Sequence, residues 1–106
     1  PTAAKDIALA CHSMARQLID TPEKTGAYHF AGAPDCSWAD FARAIFATSG
    51  LKCDVTDIPT SAYPTPAERP LNSRMDCTLS ETVFGINRPD WQASLTDILT
   101  DLGAVK

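Results

Sequence analysis

The stretch "CSWADFARAIFATSG", residues 36–50, decides the centre of the expected fold. Ser37 with Asp40 three residues later forms a capping-box pattern, which satisfies two backbone N–H groups that the start of a helix otherwise leaves without partners. Gly50 stands where helices often end in a left-handed residue. The stretch therefore predicts an amphipathic helix, and the apolar face assigned to the core comprises Trp38, Phe41, Ala42, Ile45 and Phe46.

Two strand-like segments flank this helix. "GAYHFAG", residues 26–32, alternates Tyr28 and Phe30 with other residues, which is typical of a short half-buried strand. "KCDVTDIP", residues 52–59, alternates less regularly. A strand, a helix and a strand joined by short links predict a parallel pair with a right-handed crossover. We therefore expect a mixed α/β fold, a small helix-rich domain with a short parallel strand pair.

Three further helices are expected around this unit. Apolar residues at three- and four-residue spacing predict the first helix from Ala3 to Ile19, and Cys11 on its apolar stripe is assigned to the core. In "TLSETVFG", residues 78–85, Thr78 with Glu81 suggests a capping box for a short helix. The last helix begins at a cap on Asp90 and ends at Gly103. Its apolar stripe comprises Trp91, Leu95, Ile98, Leu99 and Leu102.

Length and composition limit the possible functions. The 106 residues suffice for one domain with a modest core, and no apolar run approaches the roughly 20 residues of a membrane span. A net charge of −4 without a basic run argues against nucleic-acid binding. The first residue is not Met, so we expect a piece of a longer protein. The four cysteines are scattered, which favours reduced thiols in a cytoplasmic protein and no metal site; they are Cys11, Cys36, Cys53 and Cys77.

Two familiar catalytic patterns are missing from the sequence. The five glycines lie far apart, so no Gly-rich turn is present to receive a dinucleotide cofactor. Tyr28 and Tyr63 are followed four residues later by Gly32 and Ala67, not by the lysine that short-chain dehydrogenases pair with a catalytic tyrosine. We therefore expect neither a cofactor site nor catalytic residues in this chain.

The loop "YPTPAERPLNSRMD", residues 63–76, gathers polar side chains in a proline-rich setting. Each proline restricts its own backbone and that of the preceding residue, so the loop is expected to run as a stiff, extended strip. Because the chain is acidic overall, an anionic ligand would have to be met by a local pair of arginines, and Arg69 and Arg74 are the obvious pair.

The order of motifs resembles a known family. "GAYHFAG", "SWADFARAIF" and "IPTSAYPTPAERPLNSRMD" are followed by "FGI" and "DW", and this order is closely similar to the C-terminal part of dTDP-4-dehydrorhamnose reductases, which are extended short-chain dehydrogenases. The resemblance covers nearly the whole chain. It implies a single substrate-binding domain over residues 1–106 of an enzyme that reduces dTDP-4-dehydro-L-rhamnose with NADPH, a step in dTDP-rhamnose and cell-surface polysaccharide biosynthesis.

The resemblance also implies partners outside this chain. A Rossmann domain carrying NADPH and the catalytic tyrosine and lysine would precede Pro1, so this chain alone is expected to be inactive. The other implied partners are a dTDP-sugar substrate and, as an open possibility, a second copy in a homodimer. No residue here matches a metal-binding motif of the family.

With the family in view, the loop becomes the expected substrate site. Arg69 and Arg74 would bind the diphosphate, while Asn72 and Ser73 would bind the sugar or the base. Tyr63 would stack on the ligand. An alternative remains open at this stage. Arg69 would then pair with Asp76 or Glu68, Asn72 and Ser73 would satisfy the backbone of a turn, and Tyr63 would cover the underside of the loop.

Two other functions are compatible with the sequence. The regulatory subunit of methionine adenosyltransferase resembles the same fold in a non-catalytic role, so a regulatory or interaction module is one alternative. The substrate domain of another nucleotide-sugar epimerase or reductase is the other. The residues before Pro1 would distinguish an enzyme from a regulator, since only the enzyme needs the tyrosine and lysine pair.

Overall fold

The computed structural model describes residues 1–105, and four α-helices dominate them. The helices are α1 (Ala4–Asp20), α2 (Trp38–Ser49), α3 (Thr78–Phe84) and α4 (Trp91–Asp101). Short 3-10 turns cover Pro22–Lys24 and Thr60–Ala62. All four predicted helices are confirmed, with ends within a few residues of the expected ones. None of the described helices is long and apolar enough to cross a membrane.

The core lies where α2 packs on α4, and a second contact joins α1 to α3. Trp91, Leu95 and Leu99 of α4 are buried, and the rings of Trp91 and Phe41 meet edge to face at 5.6 Å between centroids. Half-buried residues complete this cluster: Cys36, Phe41, Ala44, Ile45 and Ala104. The apolar stripe of α4 is therefore confirmed as core at these three positions.

The predicted α/β fold with a parallel strand pair is wrong, because residues 1–105 contain no β-sheet. Residues 26–32 are not paired with another strand. Within the described chain, one isolated parallel bridge joins Ala33 to Asp90. The backbone of residues 29–32 instead bonds to side chains. The Ser80 hydroxyl donates to the carbonyl of His29, and the Gly32 N–H donates to the Thr2 hydroxyl at 3.0 Å.

The second expected strand, residues 52–59, also has no strand partner. Every residue in it is exposed except the half-buried Val55. Its link to the helices is Arg43, whose Nη2 donates to the carbonyl of Val55 at 3.3 Å and to Asp57 at 2.7 Å. The alternation in both segments predicts paired strands, but a period of two by itself indicates only an extended backbone with two unlike faces.

Three local expectations are also corrected. Trp38 is 87% exposed because it opens α2 at the rim of the core, with its ring 6.5 Å from that of Phe41. Cys11 is exposed, because the inner face of α1 runs through the buried Ala10 and the half-buried Met14 and Leu18. Thr78 is the first residue of α3 rather than its cap, and Asp76 accepts hydrogen bonds from the Thr78 backbone and hydroxyl instead.

The chain is less compact than most proteins of its length. Its radius of gyration is 16.8 Å, against about 13 Å expected for a compact domain of this size. It exposes 7980 Å², against roughly 5,800 Å² expected from its mass. Large apolar side chains contribute to the excess, among them Leu9, Ile19, Ile58, Leu71 and Leu102. Much surface that a self-contained domain buries is therefore uncovered here.

The capping box of α2 is formed as predicted. The Ser37 hydroxyl accepts from the Asp40 N–H at 3.0 Å, and the Asp40 carboxylate accepts from the Ser37 N–H at 3.2 Å. We expect Ser37→Ala to lower the free energy of unfolding by about 1 kcal/mol, the usual value of a lost cap. Urea unfolding followed by circular dichroism measures it. Ser61→Ala is the matched control, because Ser61 is exposed in a 3-10 turn. Equal losses in the two variants would contradict a role for the cap.

Candidate functional site: the proline loop

The expected site lies on a long exposed loop between α2 and α3, which we call the proline loop (residues 51–76). All of its residues are exposed except the half-buried Val55. The loop is attached to the helices near both of its ends. Near its start, Arg43 of α2 forms an ion pair with Asp57 at 2.7 Å. Between Asp57 and the end of the loop, every residue is exposed.

The second attachment is made by Asp76. Its Oδ1 accepts from the Thr78 backbone N–H at 3.0 Å and from the Thr78 hydroxyl at 2.6 Å. These hydrogen bonds lower the pKa of Asp76 below its ordinary value. Asp76 therefore stays ionised and ties the end of the loop to the first turn of α3.

The structure brings Asn72 and Arg74 into direct contact. Asn72 Oδ1 accepts from the Arg74 backbone N–H at 3.1 Å and from Arg74 Nε at 3.0 Å. Ser73 lies between them and is exposed. Asn72 thus satisfies the backbone of a turn, as in the alternative interpretation of the loop. In addition it holds the side chain of Arg74.

Arg69 and Tyr63 are placed differently. Within residues 1–105, Arg69 forms no ion pair, so the expected alternative pairing with Glu68 or Asp76 is not observed. Its guanidinium is exposed at the middle of the loop's second half. Tyr63 is 71% exposed and packs against no other aromatic ring of the described chain. Both side chains are exposed, and no contact between them is observed among the described residues.

A cluster around Arg88 was not predicted from the sequence. Arg88 Nη2 donates to the Gly32 carbonyl and to Asp35, both at 2.5 Å, and its Nε donates to the Ala31 carbonyl at 3.1 Å. The hydrogen bond and the charge of Arg88 lower the pKa of Asp35, and the charge of Arg74 contributes in the same direction. No spacing in the sequence reveals a pair separated by 53 residues.

The chemistry available on the proline loop is anion binding. Two exposed guanidinium groups, Arg69 and Arg74, offer forks of N–H donors that match phosphate oxygens. In the described residues no three metal-ligating side chains converge. An open cavity of about 220 Å³ lies away from the loop, between α1 and residues 86–89, and is mostly apolar.

Comparison with known proteins agrees with the resemblance. The family model described as "RmlD substrate binding domain" matches residues 1–104. The dTDP-4-dehydrorhamnose reductase of Sinorhizobium fredii is 39% identical over 89% of this chain and 34% of its own length. That of Aggregatibacter actinomycetemcomitans is 40% identical over 92% of this chain and 36% of its own. The spore coat polysaccharide biosynthesis protein SpsK of Bacillus subtilis is 32% identical over 95% of this chain and 33% of its own length. The chain thus spans about a third of the length of the relatives it matches.

Proposed function

Because the chain belongs to the family of RmlD substrate-binding domains, we propose that it is the substrate-binding part of a dTDP-4-dehydrorhamnose reductase. The observation that carries the proposal is the similarity to such reductases over about nine-tenths of the chain. The reaction would be transfer of hydride from NADPH to the 4-keto group of dTDP-4-dehydro-L-rhamnose in the cytoplasm. The product is dTDP-L-rhamnose, a precursor of surface polysaccharides.

In this proposal residues 1–106 form one domain that binds the sugar nucleotide, while another part of the protein binds NADPH and holds the catalytic tyrosine and lysine. The low compactness of the chain supports this division, because its exposed apolar side chains are what an adjoining domain would cover. The lengths of the relatives are compatible with this division, since about two thirds of each relative lies outside the match. The chain by itself would bind substrate without reducing it.

The substrate contacts proposed on the proline loop are Tyr63, Arg69, Asn72, Ser73 and Arg74. The two arginines would bind the diphosphate through charge-assisted hydrogen bonds, which give both energy and orientation. Orientation matters because hydride transfer depends on distance, and misplacement of the substrate by about 1 Å can cost a hundredfold in rate. A loop stiffened by Pro64, Pro66 and Pro70 and attached to the helices near both ends suits this purpose.

Arg69→Ala in the full-length protein is the direct test. We expect the KM for dTDP-4-dehydro-L-rhamnose to rise about tenfold with little change in fold, because one charge-assisted contact is worth about 1.4 kcal/mol or more. Oxidation of NADPH, followed by its absorbance, measures the reaction. Arg16→Ala is the matched control, since Arg16 is an exposed arginine on α1, outside the loop.

Two outcomes separate the parts of the proposal. If the wild-type full-length protein did not oxidise NADPH with this substrate, the proposed activity would be wrong and a non-catalytic regulatory role would gain support. If the wild-type protein were active and Arg69→Ala behaved like Arg16→Ala, the activity would stand and Arg69 would be removed from the site.

A further inference from the structure

The contact between Asn72 and Arg74 has a definite chemical direction. Both partners of the Asn72 side chain are N–H donors, the backbone N–H and the Nε–H of Arg74. Only the carbonyl oxygen of an asparagine amide can accept from them, so the orientation of this amide follows from chemistry. A single oxygen thus determines both the turn of the backbone at residues 72–74 and the position of the Arg74 guanidinium.

This contact also determines which edge of the guanidinium is available. A guanidinium binds two phosphate oxygens in parallel either through Nε and one Nη or through its two Nη groups. In Arg74 the Nε–H is occupied by Asn72, and within residues 1–105 no carboxylate pairs with the Nη groups. The two Nη groups of Arg74 are therefore the pair of donors that remains for a phosphate.

Holding the arginine side chain in this way lowers the entropy that the side chain loses when it binds an anion. A free arginine side chain has high rotamer entropy, part of which is lost when the side chain binds a ligand. A side chain that is already held loses less on binding and adds more to affinity. The benefit of Asn72 would then depend wholly on Arg74 being present.

We propose that Asn72 is a positioning residue, which acts on the bound diphosphate through Arg74 by holding its guanidinium end on to the phosphate oxygens. This inference rests on the proposed function and changes one part of it. Asn72 was expected to contact the sugar or the base directly, whereas here its accepting oxygen is used within the loop.

A double-mutant cycle on the full-length protein tests this, with dTDP as the probe and calorimetric titration as the measurement. We expect Arg74→Ala to weaken binding about tenfold and Asn72→Ala about fivefold. The double variant should bind about as weakly as Arg74→Ala alone, because Asn72 has nothing left to hold. Asn72 does not contact Arg69. In the Arg69→Ala variant, Asn72→Ala should therefore still weaken dTDP binding by its full factor of about five.

A second measurement tests the geometry without any ligand. In ¹⁵N NMR spectra the Nε–H of Arg74 should exchange slowly in the wild-type protein and in Asn72→Asp, which keeps an accepting oxygen, and rapidly in Asn72→Ala. A roughly fiftyfold loss in the double variant would overturn the inference, since Asn72 would then contact the ligand by itself. Equal exchange in all three proteins would overturn it as well. Failure of wild-type protein to bind dTDP would instead reject the proposed function on which the inference rests.

Discussion

Replacing Trp91 by alanine is expected to lower the free energy of unfolding by about 3–5 kcal/mol, the usual cost of removing a large buried aromatic side chain. Trp91 is 4% exposed and lies at the centre of the cluster with Leu95 and Leu99. Its ring packs edge to face on Phe41 at 5.6 Å, and its Nε1–H donates to the Pro34 carbonyl at 2.6 Å. The substitution thus opens a cavity and removes a hydrogen bond.

Trp38 provides a matched control, because it is the same residue type at 87% exposure. Trp38→Ala is expected to change the free energy of unfolding by less than about 0.5 kcal/mol, as for most exposed positions. Urea unfolding of the two variants, followed by circular dichroism, gives both values. If Trp91→Ala is largely unfolded without urea, the loss of helical signal is itself the expected result. Equal and small effects in the two variants would show that Trp91 is not at the centre of the core.

Arg88→Ala is expected to lower the free energy of unfolding by about 2–3 kcal/mol. The reason is that the guanidinium is hydrogen-bonded to three groups, and charged hydrogen bonds stabilise the fold more than neutral ones. The Arg88 side chain is 22% exposed and holds together residues 31–35 and the segment before α4. Arg88→Lys keeps the charge but cannot reach all three acceptors, so its loss should be intermediate. Arg16→Ala again serves as the exposed control.

The contribution of Arg88 should depend on pH through Asp35. Arg88 lowers the pKa of Asp35 below its ordinary value of 3.8 in the folded state, so the stabilisation is present above that value. It is lost as pH falls through the lower folded value, because Asp35 is then protonated in both states. The difference in unfolding free energy between wild type and Arg88→Ala should therefore shrink below about pH 4. A difference that stayed constant down to pH 2 would show that the backbone contacts of Arg88 account for all of it.

The helices were predictable because the interactions that define them are local. The Ser37 and Asp40 cap, the Asp90 cap and the left-handed Gly50 and Gly85 all act within a few residues of the helix end they define. The contact between Asn72 and Arg74 is local as well, and a turn at Asn72 and Ser73 is one of the two interpretations that the sequence allows. The hydrogen bond between Asn72 and the Arg74 guanidinium depends on a side-chain rotamer, which a sequence pattern does not predict.

The errors arose where a local pattern has more than one tertiary solution. "GAYHFAG" alternates as a strand does, but its backbone partners are Thr2, Ser80 and Arg88, which lie up to 57 residues away. Trp38 and Trp91 both lie on apolar helical stripes, yet one is exposed and the other buried. Cys11 shares a stripe with apolar residues and still lies outside the core, since α1 carries apolar residues on two faces.

The positions of the four helices, the resemblance to the reductase family and the loop that displays the arginines can all be predicted from the sequence. These follow from contacts within one or two helical turns and from the order of motifs along the chain. The tertiary structure alone decided which helix faces are buried, which groups satisfy residues 29–33, and that Arg88 pairs with Asp35. The physical reason is that burial and long-range hydrogen bonds belong to pairs of segments brought together by the whole fold, so no single segment specifies its own partner.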